Sequence, residues 1–312
     1  MNTSAPAAAA RVALERLIDY AGLFPPARLP LESALAEYDR ARASAERWLL
    51  GRFILPASQL GELRALVRGG EQREFSIIVD ASADPRSWFG AAAQSFEAIA
   101  KVRAAGWAHV GALELPLPRL ATARETYDAA IGQCAALAAQ AGLRDLPIYV
   151  EVVRDERFTE LLPGAMDALA RYRLCAKLRC GAVDPDAYPS VAEVSSFLAM
   201  ACEANVAFKA TAGLHHPVRH WNAGAGVTMH GFLNLLAAAA FAPRIDRDVL
   251  ESIVGEEDPS AFGLDRTLRW RDWEASETDL ATTRTQRFAG YGSCSFQEPV
   301  DDLRALHILA VH

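Results

Sequence analysis

Eight short β-type runs alternate with segments of helical spacing along this 312-residue chain, and the alternation predicts an α/β fold, a (β/α)8 TIM barrel. Polar residues recur near the C-terminal ends of those runs, where such a barrel opens its mouth. No internal repeat or flexible linker interrupts the pattern, so residues 1–312 read as a single barrel domain.

The strands are expected at Leu17–Leu23, Arg52–Ala57, Phe75–Asp80, Val110–Leu117, Ile148–Val153, Cys175–Gly181, Val206–Gly213 and Tyr291–Phe296. The first is the weakest signal, since LIDYAGLFPPA also fits a helix end running into a Pro-rich turn. Tyr20, Phe24, Pro25 and Pro26 there are either a pocket wall or N-terminal packing. Helical spacing marks the stretches between, such as LESALAEYDRARASAERWL, SFEAIAKVRAAG, ARETYDAAIGQCAALAAQAG and VAEVSSFLAMACEAN. The seventh and eighth strands are separated by a long insertion, residues 214–290. It contains an apolar helix, HGFLNLLAAAAFA, and an expected hairpin around AFGLDRTLRWRDWEAS, over or beside the mouth.

Composition narrows the class. Apolar residues make up 51% and charged ones 23%, and the net charge is −7. That balance argues against a whole-surface attraction to nucleic acid or anionic membrane, and no apolar run approaches a membrane span. The opening MNTSAPAAAARVALERL lacks the pattern of a secretory leader, and five cysteines without a CxxC pair read as reduced thiols. A cytoplasmic protein is expected, needing no cofactor, with a small-molecule substrate as partner and a possible homodimer contact through the insertion.

Lysine is scarce: of 32 basic residues only Lys101, Lys177 and Lys209 are lysines. Lys101 falls in a helical, solvent-facing pattern, whereas Lys177 and Lys209 lie inside apolar runs. On adjacent parallel strands the two would share one partly dry mouth. Burial and like-charge repulsion both depress a lysine pKa and free the amine to attack a carbonyl. Glu114 or Glu151, at neighbouring strand ends, would then move protons. The bland reading is that each lysine pairs with a barrel carboxylate.

Several motifs, in order, resemble those of the deoxyribose-phosphate aldolase family, class I aldolases. LIDYAGLFPPA resembles its opening strand, RFILPASQL its second, ALELPL the strand of a catalytic Asp, and YVEVV the fifth strand with its Glu. CAKLRCG resembles the strand of the Schiff-base lysine, AFKATAG that of the pKa-tuning lysine, and GYGSCS the phosphate-holding turn. The resemblance implies Lys177 as nucleophile, Lys209 as its tuner, and Glu114 and Glu151 as proton carriers. Residue reading alone leaves open which lysine forms the imine. The chain departs from the family pattern in Arg179, where a small hydroxyl residue is usual, in Glu114 for Asp, and in the insertion. Arg179 suits a carboxylate or phosphate and would help depress Lys177, or else it pairs with a glutamate.

Asp19, Thr211, His215, His216, Arg219, Ser293 and Ser295 are the further candidates for holding an anionic substrate, the serines with help from the helix that follows them. The insertion opens with His215, His216, His220 and His230, four of seven histidines. They raise a second reading, a metal-dependent lyase or hydrolase using the His215–His230 loop; the aldolase reading assigns no metal. Adjacent His215 and His216 are expected to point opposite ways on an extended segment. A third reading is a non-catalytic metabolite-binding barrel, in which both lysines are paired with carboxylates and titrate normally. Cys294 shows no histidine beside it in sequence.

Overall fold

A computed structural model describes residues 7–67, 73–80, 85–118, 124–154, 157–182 and 184–310; the first six residues of the segment read for a leader lie outside this set. In chain order the strands are β1 (Ile18–Tyr20), β2 (Leu50–Pro56), β3 (Glu74–Ile78), β4 (His109–Pro116), β5 (Ile148–Glu151), β6 (Cys175–Arg179), β7 (Phe208–Thr211), β8 (His220–Asn222), β9 (Val227–Met229), β10 (Phe262–Leu264), β11 (Leu268–Trp270), β12 (Trp273–Ala275) and β13 (Phe288–Ser293). The helices are α1 (Ala8–Leu14), α2 (Leu31–Ala43), α3 (Leu60–Leu66), α4 (Pro85–Ala105), α5 (Arg124–Gln140), α6 (Phe158–Tyr172), α7 (Val191–Glu203), α8 (Phe232–Phe241), α9 (Arg247–Gly255), α10 (Glu277–Gln286) and α11 (Gln297–Ala305).

Eight strands close into a parallel barrel in the order β1-β13-β7-β6-β5-β4-β3-β2. The predicted strands all form, and the fold is the (β/α)8 barrel that the alternation requires. β1 is three residues long, and the Pro-rich stretch behind it is a turn, so both readings of LIDYAGLFPPA hold in part. Tyr20 packs inward on Tyr38 and Phe53, while Pro25 and Pro26 face solvent. Side chains cap α7, α9 and α10, with Asp246 accepting the Val249 N–H at the start of α9. Ser190 with Glu193 and Ser276 with Asp279 form reciprocal capping boxes on α7 and α10.

Part of the insertion packs against the barrel wall. All ten residues of α8 are buried, and Phe232 stacks on Tyr291 of β13 with ring centroids 5.0 Å apart. The expected hairpin is instead a three-stranded meander, β10-β11-β12. Its second turn places Arg271 at φ 51, a left-handed residue that no glycine announces. A further hairpin, β8-β9, follows the histidine loop; the Asn222-Ala223-Gly224-Ala225-Gly226 turn is its sequence signal. No described helix is long and apolar enough to cross a membrane.

Register sets the site. Lys177 pairs in register with Lys209 across β6-β7 and with Glu151 across β5-β6, so the three side chains share one face of the sheet. Beyond those strand ends the chain crosses itself closely. A Cβ on Gly181 would lie 2.7 Å from the Gly213 backbone, and Gly213 has φ +69, so both positions require glycine.

Candidate active site

Six charged side chains form one cluster, five inside the barrel and Arg179 at its rim. Glu114, fully buried on β4, bridges both lysines: its Oε2 lies 2.8 Å from Lys177 Nζ and its Oε1 2.6 Å from Lys209 Nζ. Ser76 Oγ donates to the same Oε1 at 2.8 Å. Lys177 also lies 2.9 Å from Glu151 Oε2, and Lys209 lies 2.5 Å from Asp19 Oδ2. Asp19 Oδ1 accepts from the Arg52 backbone N–H. Arg179 Nε donates to Glu151 Oε1 at 2.7 Å, with its own side chain half exposed.

Three cations thus face three carboxylates, and the titration follows. Burial alone would lower the Lys177 pKa, but Glu114 and Glu151 outweigh it and hold the ammonium above its ordinary value. Burial would likewise raise Glu114, yet Lys177 and Lys209 keep its carboxyl far below the usual range. Glu151 is lowered in the same way by Lys177 and Arg179. This corrects the expectation that Lys209 and Arg179 depress Lys177. The three carboxylates are shared among the three cations, and at the Lys177 amine the attraction of Glu114 and Glu151 prevails. Paired lysines are what the non-catalytic reading expected, but it also expected normal titration, from which Lys177 departs. Asp19, expected to help hold an anionic substrate, is buried and pairs with Lys209.

The two lysines differ in access. A cavity of about 210 Å3 at the mouth is lined by Pro116, Glu151, Arg154, Phe158, Lys177 and Arg179 among others. Lys209 does not line it; its Nζ is enclosed by Asp19, Glu114 and the Tyr149 ring, 6.0 Å from the ring centroid. Two carboxylate oxygens, Glu114 Oε2 and Glu151 Oε2, are buried beside Lys177 without a directed hydrogen bond. A larger cavity of about 1260 Å3 lies at the opposite end of the barrel, among the strand starts. Its charged walls are closed on themselves by Arg16–Glu74 and Arg103–Asp145 pairs.

Arg154 escaped sequence reasoning because it lies past the end of β5. It donates to Glu193 Oε1 at 3.0 Å and also to the Ala187 carbonyl. Thr211, at the end of β7, stands in register with Arg179 and Gly292 at the mouth.

The expected anion holders around β13 have partners within the chain. Ser293 Oγ donates to the Ser295 carbonyl at 2.6 Å, and Ser295 Oγ accepts the Glu298 N–H at the start of α11. Both hydroxyls therefore close the strand-to-helix turn. Arg219 lies 3.3 Å from Glu257 and 3.4 Å from His230 Nδ1, so its charge is met locally.

The histidine loop does not converge as a metal centre. His215 Nδ1 lies 3.0 Å from Glu298 Oε2, and His216 Nδ1 lies 2.5 Å from Asp302 Oδ2. Glu298 and Asp302 are one turn apart on α11, so both adjacent histidines meet the same helix face rather than opposite sides. The bends after Ala212 (φ 61) and Gly213 turn the segment away from extended geometry. His220 packs edge-on against His216, and His230 Nε2 donates to the Pro189 carbonyl at 2.8 Å. Among the described residues no group of three or more His, Cys, Asp or Glu side chains is disposed to hold a metal ion. The fold does bring His215 to Cys294: Sγ lies 3.9 Å from Nε2 and 4.0 Å from Nδ1. That neighbour is 79 residues away in sequence and gives no local signal.

Burial pushes the His230 pKa down to about 4, with the Arg219 charge adding to the effect. A base whose folded pKa is depressed contributes stability above its unfolded value of 6.5, and loses it as pH falls towards 4. The loss amounts to about 3 kcal/mol at full effect. His220 is lowered by burial and His216, and shares the window. Thermal melts from pH 7 to pH 4.5 are expected to show a falling Tm in the parent, and a clearly flatter profile in His230→Gln.

No family model matches the chain, and no curated protein does. Among solved structures, an aldolase, QR15, is 12% identical over 64% of this chain and 80% of its own, with a TM-score of 0.46. The tetrameric deoxyribose phosphate aldolase from Aeropyrum pernix is 12% identical over 95% and 93%, with a TM-score of 0.49. Dihydrodipicolinate synthase from Thermotoga maritima is 11% identical over 95% and 100%, with a TM-score of 0.37. In structure the chain is remotely similar to deoxyribose-phosphate aldolase and related class I aldolases.

Proposed function

We propose that the protein is an aldolase-type lyase in which a small anionic carbonyl compound forms an imine with Lys177. One observation carries the reading: of the two buried lysines, only Lys177 lines the mouth cavity, and it does so beside Glu151 and Arg179. The amine adds to the carbonyl carbon and water leaves as the C=N bond forms. Carbon–carbon cleavage then draws electrons into the imine.

The resting ammonium must first lose a proton, and the substrate itself helps. A carboxylate or phosphate arriving at the half-exposed Arg179 competes with Glu151 for the guanidinium. Relieved of that partner, Glu151 binds a proton more tightly, and its Oε2 is 2.9 Å from Lys177 Nζ. Glu151 is therefore the proton carrier. Glu114 and Lys209, both buried, position the cluster and set its charge.

The test is borohydride reduction of the protein with a panel of small aldehydes, keto acids and sugar phosphates, followed by peptide mapping. The expected adduct is on the Lys177 peptide. An adduct on Lys209 alone would sink the assignment, and none from a broad panel would favour a binding protein. The charge argument adds a second expectation. Anionic carbonyls should trap at lower pH than neutral ones in the parent. In Glu151→Gln, neutral carbonyls should also trap at lower pH, because the ammonium has lost a stabilising carboxylate. Equal pH midpoints throughout would refute the coupling.

A further inference from the structure

We infer that Cys294, His215 and Glu298 form a second nucleophilic site at the mouth, a thiol–imidazole–carboxylate relay that captures aldehydes as hemithioacetals. The inference does not depend on imine formation at Lys177.

The parts are on three segments: the turn after β13, the loop after β7, and the first turn of α11. His215 Nδ1 is 3.0 Å from Glu298 Oε2, so the carboxylate holds the ring proton on Nδ1 and leaves the Nε2 lone pair free. Cys294 Sγ is 3.9 Å from that nitrogen and 4.0 Å from Nδ1, so the sulfur lies beside the ring and shifts towards Nε2 for the proton to pass. A nucleophile beside a base that is itself oriented by a third group is the arrangement that activates a weak nucleophile. Before a ligand arrives, such contacts are commonly long. The Ala27 backbone N–H faces the sulfur from another side and favours the thiolate, and the Tyr20 hydroxyl is a further neighbour. Burial pushes the thiol pKa up, so the resting group is a neutral thiol that needs a base. Cys294 is only half-buried and Glu298 is exposed, so a small molecule can reach them.

An aldehyde is the class these three groups suffice for. The S–H proton passes to His215 Nε2 while sulfur forms a bond to the carbonyl carbon. The C=O π pair moves onto oxygen, and the proton on Nε2 transfers to that oxygen. Nothing is oxidised or reduced, and no leaving group or additional acid is required.

The test uses the full chain with Lys177→Met, so that an imine cannot contribute. Iodoacetamide labelling is followed by peptide mapping of all five cysteines, with Cys202 as internal standard. Cys202 is also half-buried but faces Arg287 rather than a histidine. At pH 7 Cys294 should label at least about tenfold faster than Cys202. His215→Gln should remove most of that advantage at pH 7 but not at pH 10, where hydroxide forms the thiolate unaided. Glu298→Gln should give a smaller loss in the same direction. Propanal should protect Cys294 and not Cys202. Labelling no faster than Cys202, an equal loss at both pH values in His215→Gln, or no protection by propanal would each overturn the proposal.

Discussion

Lys177→Met is expected to abolish borohydride-trapped adduct and to lower turnover of any trapped substrate by at least about a thousandfold, because no other amine lines the mouth cavity. The fold should survive the change. Glu114 keeps Lys209 at 2.6 Å and Glu151 keeps Arg179 at 2.7 Å, so neither carboxylate is left without a cation. Circular dichroism and the thermal midpoint check that point. Binding of the substrate's anionic group through Arg179 should be largely retained, which separates loss of chemistry from loss of the site. Lys209→Met makes the contrasting case: trapping on Lys177 persists, with a changed pH dependence. A variant at Lys177 that still traps at the parent rate would refute the proposed mechanism.

Glu114→Gln is expected to be the most destabilising single change in the cluster. The residue is fully buried and touches both ammonium groups, and removing one partner from a buried ion pair costs about 3–5 kcal/mol. For a chain of this size that is a fall in Tm on the order of 10 °C. The sign with pH is also set. In the parent, the depressed Glu114 and Glu151 carboxyls contribute stability that is present above their unfolded values near 4.5 and lost as pH falls below them. The raised Lys177 contributes stability that is present below 10.5 and lost only as pH rises through its higher folded value. In Glu114→Gln, Lys177 holds its proton less tightly, so the deficit against the parent should shrink as pH rises from 7 to 10. Melts across that range decide it, and a deficit that grew with pH would contradict the charge assignment.

The barrel is legible in the chain because each strand is short, apolar and bounded by helix-forming segments. Those are local properties, and eight such units leave closure as the way to cover every strand edge. The lysine-poor composition made Lys177 and Lys209 visible, and strand-end position made Glu114 and Glu151 visible. Failures came where conformation or pairing is not local. The meander needed Arg271 at positive φ, and His215 and His216 swung to α11 because of the bends at Ala212 and Gly213. Sequence reading also placed like charges together without seeing that carboxylates bridge them. It therefore assigned Lys177 the wrong direction of shift.

Residue order by itself thus determined the fold and the identity of the groups that meet inside the barrel. Period-2 strands and parallel register leave few ways to arrange them. Only the tertiary structure decided which lysine opens to the mouth, that Asp19 lies beneath Lys209, and that Cys294 faces His215. Those outcomes depend on distances of a few ångströms between segments far apart in the chain, and electrostatic pairing and burial change sign over such distances.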